Sequence, residues 1–454
     1  MPTSVPRDLL RAVWEYPLFD ALYGRRTRRF ALGFEMTQGA YRYRSPQAPV
    51  PLCENEEALL VAAGFGFSGM ALWDQSRPLP YRNSDGRTFP STSRGRRTAL
   101  FLTNDRGVYV IDPDAGSAGQ MREADGPDGW AAALDLYNRH RLTLQQRRLD
   151  IPRRVPPLCG HNLWASNMPG STLFMPICDV TFSLIGLIAQ FVDPKLERFA
   201  AANGRGINIV DDRFGFRPAG TEAWIKSGFL CQDSTLALSH LERQACYSMF
   251  SEPAAICQNM FLATEAIGLG GWMHCGILSR EIFEALGFTI VVPQPGPGPP
   301  NPVGLDQVFQ AYCPPYFESM DAAVDAVLRP LSRKQSAREA ADGSPVPYRI
   351  SGEDHRDAAV AVSEEGIACT KAVCNYIHQT YGRFPATVDA MHLMWLMQAH
   401  HLDTDYYDRF FHPGAYGSTH AAHMAKWHPS GKNHSLDSPR GECAMLGSWL
   451  RLYV

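Results

Sequence analysis

A short basic segment, residues 24–30, has the residue types and the spacing of an anion-binding site. Alternate positions hold Arg25, Thr27 and Arg29, so two guanidinium groups and one hydroxyl can converge on one ligand. The planar guanidinium donates paired hydrogen bonds to phosphate oxygens, which makes arginine well suited to binding phosphate. The same composition is also typical of a solvated basic surface, and the segment alone does not decide between the two.

Two segments that contain glycine each follow a predicted helix. The first, residues 62–69, is rich in small residues and ends in Ser68 and Gly69. The second, residues 265–272, places Gly268, Gly270 and Gly271 before a tryptophan. Small residues let the backbone approach a flat ligand or a phosphate. Glycines are equally common where a helix ends, so each segment also has a purely structural explanation.

Taken in order along the chain, these segments resemble the FMN-dependent nitroreductase-like family. In that family an early Arg-x-Ser-x-Arg binds the flavin phosphate, a small-residue segment lies along the isoalloxazine, and a late Gly-Leu-Gly element completes the pocket. Arg25, Thr27 and Arg29 match the first motif, with Thr in place of Ser. Ser68 and Gly69 match the second motif loosely. Residues 265–271 match the third, and the resemblance covers roughly residues 20–290.

The chain departs from the family pattern in two places. Residues 71–74, Ala-Leu-Trp-Asp, stand where the family usually has Asn-x-Gln-Pro-Trp. Arg280 is the candidate for the late basic phosphate partner, which is not otherwise evident. Asn162 and Asn167 are candidate substitutes for the missing asparagine, although asparagine in such a loop is also a common turn former.

The resemblance implies an α+β fold of the nitroreductase-like, FMN-binding type, with a central, mostly antiparallel sheet flanked by helices and a helical C-terminal extension. It implies a homodimer with FMN at the subunit interface. The reaction would move hydride or electrons between NAD(P)H or an organic substrate and a nitroaromatic, quinone-like or specialised-metabolite substrate. No catalytic residue is identified. The cofactor-binding residues so assigned are Arg25, Arg26, Thr27, Arg29, Ser68, Gly69, Asn162, Asn167, Gly268, Leu269, Gly270, Gly271 and Arg280.

Two alternatives stay open at this point. One is a flavin-free protein of the same fold that acts as a binding partner. The other is a metal-dependent enzyme that uses C-terminal histidines, because histidine with carboxylate is ligand chemistry for zinc or iron. No HExxH, HxH or paired-cysteine motif supports a metal, so none is assigned, and histidines at a helix end also suit the helix dipole. The candidate ligands would be His400, His401, Asp405, His420 and His423.

Composition narrows the class of protein further. The chain has 454 residues, 45% hydrophobic and 20% charged, which is typical of a globular protein. A formal net charge of −3 gives no reason to expect nucleic acid or an anionic membrane as partner. The N-terminus lacks a signal-peptide pattern, and the most apolar stretch, residues 180–191, is too short to cross a bilayer. Eleven scattered cysteines indicate reduced thiols, so we expect a cytoplasmic protein.

Periodicity predicts three parts: a nitroreductase-like domain with insertions at 1–328, a polar linker at 329–358, and a helical, histidine-rich extension at 359–454. Strands are predicted at 98–105 and 107–112, joined by a turn. Residues 180–191 could be a helix or a strand. The extension is predicted to contain two helices, one with Ile367, Cys374, Ile377 and Tyr381 on one face and one with Val388, Met391, Trp395, Ala399 and Leu402 on one face.

Overall fold

A computed structural model of the chain describes most of the protein as one mixed arrangement of helices and strands. The described residues are 6–70, 85–91, 97–111, 129–196, 203–293, 298–329, 349 and 360–429. Residues 71–74, which replace the family motif, lie outside the described residues, as does nearly all of the predicted linker.

Short strands and a few longer ones make up the sheets. They are β1 (Glu35–Met36), β2 (Tyr43–Arg44), β3 (Phe67–Met70), β4 (Asp85–Arg87), β5 (Thr98–Asn104), β6 (Gly107–Ile111), β7 (Arg141–Gln145), β8 (Ser171–Asp179), β9 (Gly206–Asp211), β10 (Arg217–Pro218), β11 (Leu230–Ala237), β12 (Gly270–His274), β13 (Thr289–Val291), β14 (Asn301–Leu305), β15 (Phe309–Gln310), β16 (Met391–His392) and β17 (Leu396–His400).

The largest sheet has seven strands and positions the candidate site. Its order is β12-β17-β8-β5-β6-β7, with β16 pairing to β8, and every pairing is antiparallel. The predicted strands at 98–105 and 107–112 are confirmed as β5 and β6. All nine residues of β8 are buried, because helices cover the sheet on both faces.

The helices of the described residues lie against this sheet and against one another. They are α1 (Arg7–Trp14), α2 (Leu18–Gly24), α3 (Glu54–Phe65), α4 (Gly129–His140), α5 (Val180–Val192), α6 (Glu222–Ser227), α7 (Leu238–Ile267), α8 (Ser279–Leu286), α9 (Met320–Leu328), α10 (Glu364–Tyr381), α11 (Thr404–Phe410) and α12 (Ser418–Trp427). None of them is long and apolar enough to span a membrane.

Helix α5 settles the open choice at 180–191 in favour of a helix. Its N-cap is Asp179, whose carboxylate accepts a hydrogen bond from the backbone N–H of Thr181. The 30-residue helix α7 packs against α3 and α5 and continues through Pro253. Its end at Gly268 is confirmed, because that residue adopts the left-handed conformation typical of a helix C-terminus.

The C-terminal residues contribute a strand to the centre of the largest sheet. The predicted first helix of the extension is confirmed as α10, but the predicted helix over 388–402 is wrong. Strand β17 lies there between β12 and β8, with Gly270 opposite His400 and His400 opposite Ser171. All five of its residues are buried, so the strand lacks the alternation of polar and apolar residues that would identify it. This part of 359–454 therefore shares the core of the N-terminal part.

The end of α7 yields a stability prediction. A Cβ at Gly268, where φ is +92°, would lie 2.4 Å from the carbonyl oxygen of Thr419. We expect Gly268→Ala to lose the about 1–3 kcal/mol that a left-handed non-glycine residue costs, and more for the clash. Gly39→Ala is the matched control, because its φ is +83° but nothing lies within 4 Å of the added carbon. Urea unfolding of both variants tests this, and equal losses would contradict the packing of α12 on Gly268.

Candidate functional site

The basic segment and the late glycine segment lie side by side at an edge of the largest sheet. The backbone N–H of Arg28 donates to the carbonyl oxygen of Gly271 at 3.1 Å, in an isolated antiparallel bridge beside β12. Two motifs that are about 240 residues apart in the chain are thus neighbours in space. Strand β12 is at the edge of the sheet. One of its edges pairs with β17, and the opposite edge forms the bridge to Arg28.

Arg28, which the sequence analysis leaves out, is the arginine that the fold buries. Its Nη1 lies 2.6 Å from Glu265 Oε1, and both side chains are only 4% exposed. Its Nε donates to the carbonyl oxygen of Ala415 at 2.8 Å, and its Nη1 lies 3.3 Å from Nε2 of His420. Burial and the charge of Arg28 lower the pKa of His420 to about 3, so the ring is neutral. Arg28 is a structural residue with its charge already compensated.

Arg29 is placed differently, with its charge left for a ligand. Its Nη1 donates to Oδ1 of Asn162 at 3.2 Å, which brings together two of the predicted residues. The guanidinium lies over the rings of Trp164 and Trp272, at 5.9 and 5.5 Å from their centroids. Among the described residues no carboxylate forms an ion pair with it.

Two buried nitrogen atoms next to Arg29 lack hydrogen-bond partners in the described part of the chain. They are Nε1 of Trp272 and Nε2 of His274, whose rings stack at a centroid distance of 3.9 Å. The backbone N–H of Gly276 donates to Nδ1 of His274 at 3.2 Å, so the ring proton is on Nε2. Burial and the charge of Arg29 lower the pKa of His274 to about 3, which keeps the ring neutral. Both orphan groups are therefore donors, as an anion would require.

The other predicted residues of the basic segment face away from this group. The guanidinium of Arg25 lies 5.0 Å from the ring centroid of Phe261. Arg26 donates to the carbonyl oxygen of Tyr23 at 2.7 Å and is exposed, as is Thr27. The structure therefore does not bring Arg25 and Thr27 together with Arg29, as the alternating spacing predicts.

The late glycines pack against the chain itself. A Cβ at Gly270 would lie 2.8 Å from Nε2 of His400, and one at Gly271 would lie 2.8 Å from Cε of Met397. Gly268 is closed by α12, and Leu269 is fully buried. These positions need glycine because two protein segments are in close contact there. The glycines therefore do not form an accessible surface on which a flat ring could lie.

Four further predicted residues have other contacts. Ser68 Oγ donates to the carbonyl oxygen of Arg87 at 3.2 Å, in the hairpin of β3 and β4 that also contains Gly69. Asn167 is a left-handed turn residue whose Nδ2 donates to the carbonyl oxygen of Leu149 at 2.9 Å. Arg280 is exposed and pairs with Glu284 at 2.7 Å.

A second group of polar residues meets at the first turn of α3. The Nε2 atoms of His401, His423 and His428 lie 3.0, 2.8 and 3.0 Å from one atom, Oε1 of Glu56. One ligand atom from each of the four residues lies within 4.8 Å of all the others. We call these four residues the Glu56 centre. His401 follows β17, His423 is on α12, and His428 directly follows α12, so two chain segments converge on the helix.

Backbone carbonyls orient two of the three imidazoles. The Nδ1 atom of His401 lies 2.9 Å from the carbonyl oxygen of Val50, and Nδ1 of His423 lies 2.9 Å from that of Ile267. Burial lowers the pKa of His401 in spite of the nearby carboxylate. Burial opposes the charge on Glu56, but the nearby histidines, His401 foremost, hold its pKa well below its usual range. The centre thus combines an ionised carboxylate with neutral imidazole at His401.

The structure includes some of the candidate metal ligands in this centre and excludes others. His401 and His423 belong to it. His420 instead contacts Arg28, Asp405 is exposed on α11, and His400 is buried with both ring nitrogens unpartnered in the described residues. The sequence analysis missed Glu56 and His428. Oε2 of Glu56 accepts from the backbone N–H of Cys53 at 2.6 Å, so a glutamate at the start of a helix already has a local explanation as part of a helix cap.

Comparisons with known proteins add little to this geometry. No protein-family model matches the chain, and no curated protein matches it. Among solved structures, it is similar to a candidate nitroreductase from Ralstonia eutropha JMP134 at 15% sequence identity. That match covers 64% of this chain and 79% of the other, with a TM-score of 0.25. A match this distant does not define a shared fold, so the site rests on the residues of this chain.

The buried pair of Arg28 and Glu265 gives a prediction of its own. Arg28→Met leaves Glu265 charged and buried, so we expect it to lower the free energy of unfolding by about 3–5 kcal/mol. The double variant Arg28→Met/Glu265→Leu removes both charges and should regain much of that loss. Urea unfolding followed by circular dichroism measures all three proteins.

Arg11→Ala is the control for this series. It breaks the exposed pair with Glu15 on α1, worth about 0.3–0.5 kcal/mol at most. If Arg28→Met were no more destabilising than this control, the assignment of Arg28 to a buried structural role would be wrong.

Proposed function

We propose that the protein is an FMN-dependent oxidoreductase that binds the flavin phosphate at Arg29. The reaction would transfer hydride or electrons between NAD(P)H or an organic substrate and a nitroaromatic, quinone-like or specialised-metabolite substrate. The observation that carries the proposal is the uncompensated guanidinium of Arg29, held on Asn162 and flanked by two orphan donors. The order of motifs along the sequence supplies the choice of FMN among phosphorylated ligands.

The energetics of the Arg29 group favour an anionic ligand. A buried N–H group without a partner costs about 1–3 kcal/mol, and Trp272 and His274 each contribute one such group. An anion at this position could accept from one or both, and its charge would be offset by Arg29. Charge-assisted hydrogen bonds of this kind are the stronger ones in proteins.

The predicted residues fit the phosphate end of FMN better than its ring end. Arg29 and Asn162 would hold the phosphate, while the late glycines are closed by His400, Met397 and α12. We therefore assign no ring contact to those glycines. When bound, FMN supplies the hydride and electron chemistry, and the protein supplies binding, orientation and electrostatics. The role of the chain's own residues here is to bind and orient one anionic group.

An exposed apolar surface next to the basic segment supports the homodimer that the resemblance implies. Exposed fractions of 62%, 69% and 78% for Leu18, Phe19 and Tyr23 are unusual for such side chains, and clustered exposed apolar residues typically mark an interaction surface. Helix α2 ends directly before Arg25, so a second copy that covers this surface would lie close to the proposed phosphate site.

FMN and riboflavin, which differ by the phosphate, provide the direct test. We expect the wild type to bind FMN more tightly than riboflavin, and Arg29→Ala to lose about 10- to 150-fold in FMN affinity, since a charge-assisted contact is worth about 1.5–3 kcal/mol. Riboflavin affinity should not change in this variant. Arg44→Ala is the matched control, because that arginine is 79% exposed and lies beside a carboxylate of its own, that of Glu35 at 3.8 Å. Flavin fluorescence titration measures each dissociation constant.

The outcomes separate the proposal from its alternatives. If neither flavin binds and the purified chain carries no chromophore, the flavin-free binding protein is the better description. If both flavins bind equally and Arg29→Ala changes neither, the phosphate is not at Arg29. A wild type that prefers FMN, with the preference lost only in Arg29→Ala, supports the proposal.

A further inference from the structure

The Glu56 centre has a geometry that hydrogen bonds alone do not satisfy. Three imidazole nitrogen atoms lie within 3.0 Å of one carboxylate oxygen. The Nε2 atom of His423, at 2.8 Å, is nevertheless not aligned for a hydrogen bond and has no other partner in the described residues. The four side chains are 0–13% exposed, so bulk water does not solvate the group.

The ring protons of two histidines lead to the same conclusion. A carbonyl oxygen only accepts, so the contacts of His401 with Val50 and of His423 with Ile267 place a proton on each Nδ1. An imidazole ring whose single proton is on Nδ1 presents the lone pair of Nε2 to the lone pairs of Glu56. That arrangement is repulsive unless a cation lies between them.

We propose that Glu56, His401, His423 and His428 bind one Zn²⁺ ion that joins the C-terminal segment to α3. Three imidazole nitrogens and one carboxylate oxygen form a donor set that zinc accepts in tetrahedral geometry. Donors at about 2.0–2.1 Å from such an ion lie about 3.3 Å apart, so the His–Glu distances of 2.8–3.0 Å need an outward shift of only a few tenths of an ångström.

The chain supplies four donors, and this favours a structural ion over a catalytic one. Structural zinc sites are closed by four protein ligands, whereas catalytic sites retain a position for water or substrate. The backbone acceptors behind His401 and His423 are the outer contacts that typically orient imidazole ligands of a metal. The proposed ion is thus independent of the oxidoreductase activity proposed above.

The segments joined at this centre explain what the ion would do. Helix α12 carries His423, closes Gly268 through Thr419, and places His420 on the pair of Arg28 and Glu265. The cysteines of the described residues are all free thiols, so no disulfide holds this helix in place. Binding of zinc would contribute directly to the free energy of folding of the C-terminal segment. By holding α12 in place, zinc would also stabilise the contacts of that helix with Gly268 and Arg28.

Metal analysis of the untagged full-length protein tests the proposal first. We expect one zinc per chain by inductively coupled plasma mass spectrometry after growth with added zinc, without a polyhistidine tag that could bind metal. After removal of zinc with a chelator, Co²⁺ should produce the intense visible bands of a tetrahedral site. A chain that contains no transition metal and shows no such bands with Co²⁺ would overturn the proposal.

Two variants and one control localise the ion. Glu56→Gln keeps an oxygen that can accept from Cys53 N–H but removes the anionic donor, and His428→Gln changes the most exposed ligand, at 13%. Each should lower zinc affinity by more than the about 10- to 100-fold typical of residues that only orient ligands. His412→Gln is the matched control, an exposed histidine of the same segment, and should retain full zinc.

Thermal unfolding distinguishes an ion from a network of protonated histidines. With zinc bound to the native state, Tm should fall after chelation and rise with added free Zn²⁺ by mass action. A network without metal would give the same Tm with and without chelator, and that result would also overturn the proposal. Circular dichroism of each variant at low temperature checks that the comparison is made between folded proteins. Zinc content should stay at one per chain in Arg29→Ala, whether or not that variant binds flavin.

Discussion

The structure depends on how two adjacent buried carboxylates are neutralised. Glu56 and Glu57 are both fully buried in the first turn of α3, where the helix dipole alone could not offset the cost of removing two charges from water. Glu57 accepts from Asn104 at 2.7 Å and Arg106 at 2.9 Å, which ties α3 to the hairpin of β5 and β6. Glu56 receives its partners from the other end of the chain, so the C-terminal segment is required for the N-terminal helix to be buried.

Because these partners are far apart in the chain, the sequence predicted only two of the four residues of the Glu56 centre, His401 and His423. His401 and His423 stood out by residue type, but a ligand 345 residues away carries no spacing signal. The predicted helix over 388–402 failed for a related reason. Its apolar positions fit a helical period by coincidence, whereas their burial comes from pairing of β17 with strands formed by distant residues. Local patterns predicted α3, α10 and the β5–β6 hairpin because those elements depend on nearby residues.

The basic segment shows how far an alternating sequence pattern predicts the positions of side chains. Strict alternation would place Arg25, Thr27 and Arg29 on one side, but only Arg28, Arg29 and Phe30 show alternating burial, with Arg26 and Thr27 both exposed. Which set points inward depends on the edge of β12, because the bridge between Arg28 and Gly271 turns Arg28 towards Glu265. The sequence singled out this segment, and Arg29 is the arginine of it that carries the proposed anion site. Which arginine is paired with a carboxylate and which is not depends on the position of the segment beside β12, and the sequence alone does not give that position.

The late glycines lie between the two proposed sites and have a role that needs no ligand. Ile267 orients His423, Gly268 lies against α12, and Gly271 holds Arg28 in place. A Gly-Leu-Gly element at this position is thus required by contacts between segments of the same chain. For that reason the resemblance at residues 265–271 cannot by itself distinguish a flavin-binding chain from one that retains only the packing. The distinction falls on Arg29, where a half-buried positive charge without an ion pair and two unpartnered donors have no structural explanation within the described residues.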